Sequence, residues 1–329
     1  MQITFYQRRP QKANFSVERL FANVRRALPS GINATVAVSR FSSRGFWGRF
    51  YNMIEAAFRQ GDVNHITGDV HFLACLLHRT KTLLTIHDLI SVHRLKGWRR
   101  AMLLFLWYWL PIKRVAMVSV ISESTKKDLL QHIKIDPFKV RVVYDPISAD
   151  FHPIARIFNS DKPFILQVGT GANKNVERVA QAILGIHCHL RLIGSLSNDQ
   201  LSLLRQYGVE YSSVSDISDE EIVDEYRRCD MLVFASTYEG FGMPIIEAQA
   251  TGRPVITSNV YSMPEVAGNA AHLVDPYNIE SIRQGILKII NDDDYRANLI
   301  RKGYANIERF RPEIIARQYV NLYQEILSS

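Results

Sequence analysis

Met231-Leu232-Val233-Phe234-Ala235 is a short continuous apolar run, followed within a dozen positions by Gly240, Gly242 and Pro244. Few structures accommodate that order. An apolar run of this length suits a strand buried on both faces, as in a parallel sheet with helices on each side. Gly240 and Gly242 allow the backbone to turn tightly after the strand, and Pro244 stands where a helix begins and has no hydrogen bond to lose. Gly252 and Pro254 mark that helix's end. Strand, glycine-bearing loop and helix together make one unit of a doubly wound α/β domain.

The same alternation runs through the whole chain. In the first half it predicts strands at 3–6, 34–39, 63–67, 82–87, 115–121 and 140–144, with helices starting at Ser16, Phe46, Asp69, Gly97 and Ser122. In the second half it predicts strands near 164–168, 189–193, 209–212, 231–235, 255–257 and 272–274. Helices are expected there near 175–184, 198–207, 219–228, 244–251, 263–267 and 279–290, and a last amphipathic helix after Arg311-Pro312. A chain of 329 residues suits two domains of ordinary size. The expected fold class is α/β, with two Rossmann-like doubly wound domains facing each other across a cleft. The prolines and aspartate of Asp145-Pro146-Ile147-Ser148-Ala149-Asp150-Phe151-His152-Pro153 favour an extended join. The domains are therefore expected at 1–150 and 151–311, with the helix of 312–329 packing back on the first.

Three cysteines, Cys75, Cys188 and Cys229, are odd in number, widely spaced and in no paired motif. That argues for a reducing cytosol and core packing, and against a disulfide frame or zinc site. No basic leader opens the chain, which begins with an expected strand. The longest apolar run, Ala101 to Ile112, is too short to span a bilayer. Charge is uneven: residues 1–150 carry 23 Lys and Arg against 10 Asp and Glu, the remainder 17 against 22, so +13 and −5 make up the formal +8. The basic half has no accompanying nucleic-acid motif, so no nucleic acid is expected as a partner. Trp98-Arg99-Arg100 leads into the aromatic run ending Trp107-Tyr108-Trp109, which suits a helix docked on an anionic membrane surface.

The chemistry concentrates in the loops. Amides at the start of the helix after Gly242 carry partial positive charge and suit a phosphate group, which brings in Gly240, Phe241, Gly242 and Met243. Glu247, one turn into that helix, can accept hydrogen bonds from the paired hydroxyls of a ribose, and Glu239 can reach sugar hydroxyls. Phe164-Ile165-Leu166-Gln167-Val168-Gly169-Thr170-Gly171-Ala172-Asn173-Lys174 is a second strand and glycine-bearing loop. Gly169 and Gly171 hint at a dinucleotide fingerprint, but no third glycine follows; Lys174 near its place is suited to neutralise a diphosphate. His87 falls at the carboxyl end of its strand, where α/β crevices bind ligands. Ser122 reads as a helix cap, and Asp292-Asp293-Asp294, which superficially offers a metal-binding Asp-x-Asp, also reads as capping. No metal site is expected.

Glu239-Gly240-Phe241-Gly242-Met243-Pro244-x-x-Glu247-Ala248 resembles the signature of family 4 retaining glycosyltransferases, in which two glutamates are separated by seven residues. The resemblance implies a GT-B fold whose second domain binds a nucleotide-diphosphate sugar, UDP- or GDP-linked, and whose first binds a lipid-linked or oligosaccharide acceptor. It implies transfer with retention and without a metal or other cofactor, on Glu239, Lys174 and His87, with Val214 near the base. The basic first half and the aromatic run from Trp98 to Trp109 lead to the expectation of a cytoplasmic protein, peripheral on the inner face of the plasma membrane, that serves bacterial surface polysaccharide or lipopolysaccharide synthesis. The loop after the nucleotide helix, Ser258 to Gly268 with Glu265, also matches. Two departures stand out: Thr170 or Asn173 takes the place of a usual arginine, and the loop Arg8 to Ser16 lacks a glycine pair that many relatives place beside the donor phosphates. These favour, as the alternative, a non-catalytic nucleotide-sugar-binding or scaffold subunit.

Overall fold

The computed structural model describes residues 1–9, 16–43 and 45–328. The glycine-poor loop singled out above falls largely on 10–15 and so lies outside the described residues. The chain divides into two compact units, Met1–Pro146 with the segment from Arg311 onward, and Ile147–Phe310.

The first unit holds six parallel strands: β1 (Gln2–Gln7), β2 (Asn33–Val38), β3 (Val63–Ile66), β4 (Thr82–Ile86), β5 (Met117–Val120) and β6 (Val140–Val142), in the order β2-β1-β3-β4-β5-β6. β3, β4 and β5 are buried along their whole length, while the edge strand β2 is largely exposed. The polar residues of β2, Asn33 and Thr35, are exposed, whereas those of the inner strands, among them Asn64, His65, Thr85 and Ser119, are buried and hydrogen-bonded. The helix Pro312–Ser328 belongs to this unit, its Ile315, Tyr319, Tyr323 and Ile326 sharing a core with Ile3, Phe5, Phe21 and Leu83. Beneath it His65 is wholly buried, its Nδ1 2.8 Å from Tyr323 Oη and its Nε2 2.7 Å from Thr85 Oγ1. Burial holds this imidazole's pKa well below its ordinary value, so the ring is neutral.

The second unit holds β7 (Phe164–Val168), β8 (His189–Ile193), β9 (Tyr211–Val214), β10 (Met231–Phe234), β11 (Val255–Ser258) and β12 (His272–Val274), all parallel, in the order β12-β11-β10-β7-β8-β9. Local chemistry sets its helix starts: Ser197 and Ser218 each form a reciprocal capping box, and Asn278 accepts from the amides of Glu280 and Ser281. Asp292 accepts from Tyr295 N at 2.8 Å and begins the helix Asp293–Ile307, so the aspartate triplet serves as a cap.

All twelve strands lie where the apolar runs place them, within about two residues at the ends; β9 starts two residues late because its segment has no strong apolar run. The expected helix from Asp69 is instead a short 3-10 turn, His71–Cys75, whose first four side chains are buried. Burial on every side leaves no solvent face for a helical pattern to report. The stretch from Gly97 is helical but carries a π-helical turn at Leu104–Trp109 before resuming at Leu110–Lys113.

Candidate functional site

In the second sheet the strand order reverses between β7 and β10, which are neighbours although more than sixty residues apart in sequence. Loops leaving the carboxyl ends of such a pair diverge and leave a crevice. Here they are those of Gly169–Asn175 and Ser236–Gly242. Gly169 has φ +90°, and a Cβ there would come within 2.8 Å of Lys174 Cε, so glycine is what allows the lysine chain to lie across the loop. Lys174 Nζ reaches Glu239 Oε1 at 2.6 Å and lies 4.6 Å from the centre of the Phe234 ring. Asn173 ties the two loops together: its carbonyl accepts from Thr237 N at 2.8 Å, and its Nδ2 donates to Tyr238 O at 3.0 Å and Glu239 Oε1 at 3.3 Å. Asn175, in the left-handed region at φ 60°, donates to the carbonyls of Ala235 and Pro276.

Gly242, at φ +112°, begins the helix Met243–Ala250 with Pro244 in its first turn. Every side chain of that helix from Pro244 to Ala250 is buried. Ser262 Oγ donates to Phe241 O at 2.7 Å and stands 3.0 Å from Glu239 O, while Ser258 Oγ donates to Ser236 O, so the loop backbone is held from the β11 side. The Phe241 ring is buried edge-on against Phe310. Glu247 is only 6% exposed, and its Oε2 accepts from Tyr226 Oη at 2.6 Å. Burial and the neighbouring carboxylate push the Tyr226 phenol well above its usual range, so it stays a donor. Val214 lies half-buried at the end of β9, its carbonyl taken by Gly194 N.

Among the described residues, two buried polar atoms at this junction have no partner: Ser236 Oγ and Gln167 Oε1. Such groups cost about 1–3 kcal/mol each when left unsatisfied, and their position at the two strand ends is what a polar ligand in the crevice would account for. The residue pattern gave no role to these two, to Tyr226 or to Ser262, and marked Asn173 only as standing where an arginine is usual. Ser236 follows its apolar strand directly and Asn173 precedes Lys174, so strand-end position was the available signal.

His87 belongs to the first unit, at the carboxyl end of β4. Its Nε2 donates to Thr67 O at 2.9 Å, which in the neutral ring makes Nδ1 the lone-pair nitrogen. Asp145, near it and almost fully buried, is raised by burial to a pKa of about 6, with His87 acting in the opposite direction. Ser122 Oγ accepts from Thr125 N at 3.0 Å, the cap its sequence suggests.

Two parallel six-stranded sheets in two Rossmann-like units are the architecture of the GT-B class of glycosyltransferases. The structure of Anabaena Alr3699/HepE in complex with UDP and glucose superimposes with a TM-score of 0.79 at 13% identity, covering 99% of this chain and 100% of that one. The model described as "Glycosyl transferases group 1" matches residues 150–306, and that of "Glycosyltransferase Family 4" matches residues 19–151. The chain belongs to the family 4 glycosyltransferases. Among curated relatives, the O-antigen chain mannosyltransferase B of Escherichia coli is 38% identical over 108 residues, which are 33% of this chain and 28% of that protein. The serotype-specific mannosyltransferase WbdA of Escherichia coli is 24% identical over 276 residues, 76% of this chain and 34% of that one. The chain thus spans about a third of the length of these relatives.

Proposed function

We propose that the protein transfers a glycosyl unit from a nucleoside-diphosphate sugar to a glycan or lipid-linked acceptor in bacterial surface polysaccharide synthesis, with retention at the anomeric carbon and without a metal. The observation that carries this reading is the Lys174–Glu239 pair at the β7/β10 switch point, set beside the start of the helix Met243–Ala250. Charge develops on the leaving diphosphate as the glycosidic bond breaks. A lysine ammonium and the amides of Gly240 to Met243 are fixed donors for that charge, and preorganised donors of this kind supply the largest share of such catalysis. Glu239 holds Lys174 in place at rest and is positioned to take sugar hydroxyls when the lysine turns to phosphate. Glu247 reads the ribose: a carboxylate offers about four acceptor positions, so Tyr226 and two ribose hydroxyls can be served together.

The absent arginine supports a second reading. Thr170 Oγ1 donates to Ser195 O and Asn173 is uncharged, so neither supplies a second cation, and a nucleotide-sugar-binding subunit without turnover would have the same geometry. Incubation with a panel of nucleotide sugars and lipid-linked acceptors separates the two. Release of nucleoside diphosphate that survives chelator supports transfer, thermal stabilisation without release supports the binding subunit, and activity abolished by chelator and restored by Mg²⁺ refutes the metal-free reaction.

The acceptor side is read from the first domain's surface. Trp98, Met102, Phe105, Leu106 and Trp109 are exposed along the helical stretch from Gly97 to Lys113, while Tyr108 and Ile112 are buried in the core. Phe46 and Trp47, the latter 78% exposed, add a second aromatic edge, and Arg49 stacks 5.3 Å from the centre of the Trp107 ring between them. Among the described residues no helix is long and apolar enough to cross a membrane. Aromatics flanked by Arg94, Lys96, Arg99 and Lys113 suit peripheral docking on anionic lipid at the cytoplasmic face, where a lipid-linked acceptor is presented. Liposome sedimentation that rises with anionic lipid and falls with salt is the expected result.

A further inference from the structure

We propose that the first domain binds a divalent transition-metal ion of the zinc class between His93, Asp128 and His132. The three come from two elements that follow adjacent strands: His93 from the short helix Ile90–Arg94 after β4, and Asp128 and His132 from successive turns of the helix Glu123–His132 after β5. One ligand atom from each lies within 4.8 Å of the others. His93 Nε2 is 2.7 Å from Asp128 Oδ2, and His132 Nε2 is 4.0 Å from Asp128 Oδ1, so the carboxylate presents one oxygen to each ring. Asp128 is 9% exposed and keeps the cluster out of bulk water on its inner side, while His93 leaves an approach from solvent.

A second observation points to a cation. Arg100 Nη2 lies 2.8 Å from His132 Nε2. A guanidinium can only donate, so that ring nitrogen carries a lone pair, directed to a positive group beside Asp128. The arginine is a poor occupant, since its Nε is buried without a partner among the described residues. A divalent ion at the same lone pair would take over the positive charge and release Arg100 to solvent. Two imidazoles and one carboxylate suit zinc, cobalt or nickel rather than magnesium, and three protein ligands leave a fourth position for water. Tetrahedral zinc with bonds of about 2.0–2.2 Å needs donor atoms roughly 3.4 Å apart, so the His93–Asp128 pair at 2.7 Å would open by rotation of the exposed His93 ring and the His132–Asp128 pair at 4.0 Å would close. The bound ion would clamp Ile90–Arg94, and with it the loop that begins at His87, to the helix Glu123–His132. This clamp is structural and stands apart from the chemistry assigned to Lys174 and Glu239.

The test uses the full chain stripped of metal. Zn²⁺ titrated by calorimetry should bind at one equivalent, and Co²⁺ should give visible d–d bands that Zn²⁺ abolishes. His93→Ala and His132→Ala should each weaken Zn²⁺ binding at least about tenfold, the scale on which metal sites lose affinity when their ligand shells are damaged. Arg100→Ala should tighten it, because the competing guanidinium is gone. Zn²⁺ should raise the melting temperature of the wild type and leave that of the doubly substituted His93→Ala/His132→Ala chain unmoved. No saturable binding to the wild type, or unchanged affinity in a folded His93→Ala variant, overturns the proposal; His93 is exposed, so that variant remains testable if His132→Ala fails to fold.

Discussion

The two sheets have nearly the same construction and different occupants at the point where the strand order turns. In the second domain the chain lays down β7, β8 and β9 to one side before returning to β10 on the other, and the β7 and β10 loops meet in a cross-braced cluster of Lys174, Glu239 and Asn173. In the first domain only β2 lies on the far side of β1, and what is gathered at the strand ends is a buried carboxyl, Asp145, and the histidine His87 held by Thr67. The second domain is acidic and fastens its loops with charge; the first is basic and exposes aromatic side chains on two helical stretches. One architecture therefore carries a charged, preorganised crevice in one copy and a surface suited to apolar partners in the other. The difference comes from loop and helix-face residues, not from the strands.

The sharpest way to break that comparison is to remove the charge pair. Glu239→Ala and Lys174→Ala should each lower kcat/KM by about 10²–10³, the scale of losing one preorganised electrostatic contact, with the melting temperature shifted by only a few degrees. A large stability loss with normal turnover per folded molecule would make the pair a brace and nothing more. Next in size is donor affinity. Glu247→Ala should weaken it about tenfold or more by calorimetry. Tyr226→Phe deletes the hydrogen bond to the same carboxylate while touching no ligand, so it should cost about 1 kcal/mol of stability and leave affinity within a few-fold. Equal losses of affinity in both variants would mean that Glu247 acts only through Tyr226.

The first domain is tested by pH. The folded-state pKa of Asp145, raised by burial to about 6 from an ordinary 3.8, means that ionising it works against the fold as pH rises through that window. Asp145→Asn should therefore stabilise the protein by about 1–3 kcal/mol at pH 8 and by nothing measurable near pH 4, read from denaturant unfolding at the two values. The smallest effect belongs to the surface. Trp47→Ser and Trp98→Ser should each lower recovery with anionic vesicles a few-fold without altering the melting temperature, and equal recovery with neutral and anionic vesicles would remove the membrane from the account.

Much of this was legible in local pattern. Strands announced themselves because a segment buried on both faces is largely apolar: β10 is so throughout, and β7 in all but Gln167. The glycines at 169 and 242 announced loops because their backbones sit at positive φ, a conformation other residues rarely adopt. Misreadings fell where burial removed the pattern: His71–Cys75 is covered on all sides and so has no polar face to reveal its true length. Phe241 shows the same limit at the site, since a motif position does not disclose that the ring packs on Phe310.

By itself, then, the order of residues determined the alternation of strand and helix, the division into two α/β domains and the loops on which charge and glycine fall, because each of these is written in spacings of a few residues. Which loops meet was decided only by the tertiary structure. Lys174 faces Glu239 because β7 pairs with β10, Tyr226 finds Glu247 across two helices, and Asp128 stands between His93 and His132 because β4 and β5 are neighbours. Backbone preferences act over a turn of helix or a few residues of strand, whereas these contacts join residues up to 65 positions apart. They exist only once strand order has brought the carboxyl ends of particular strands side by side.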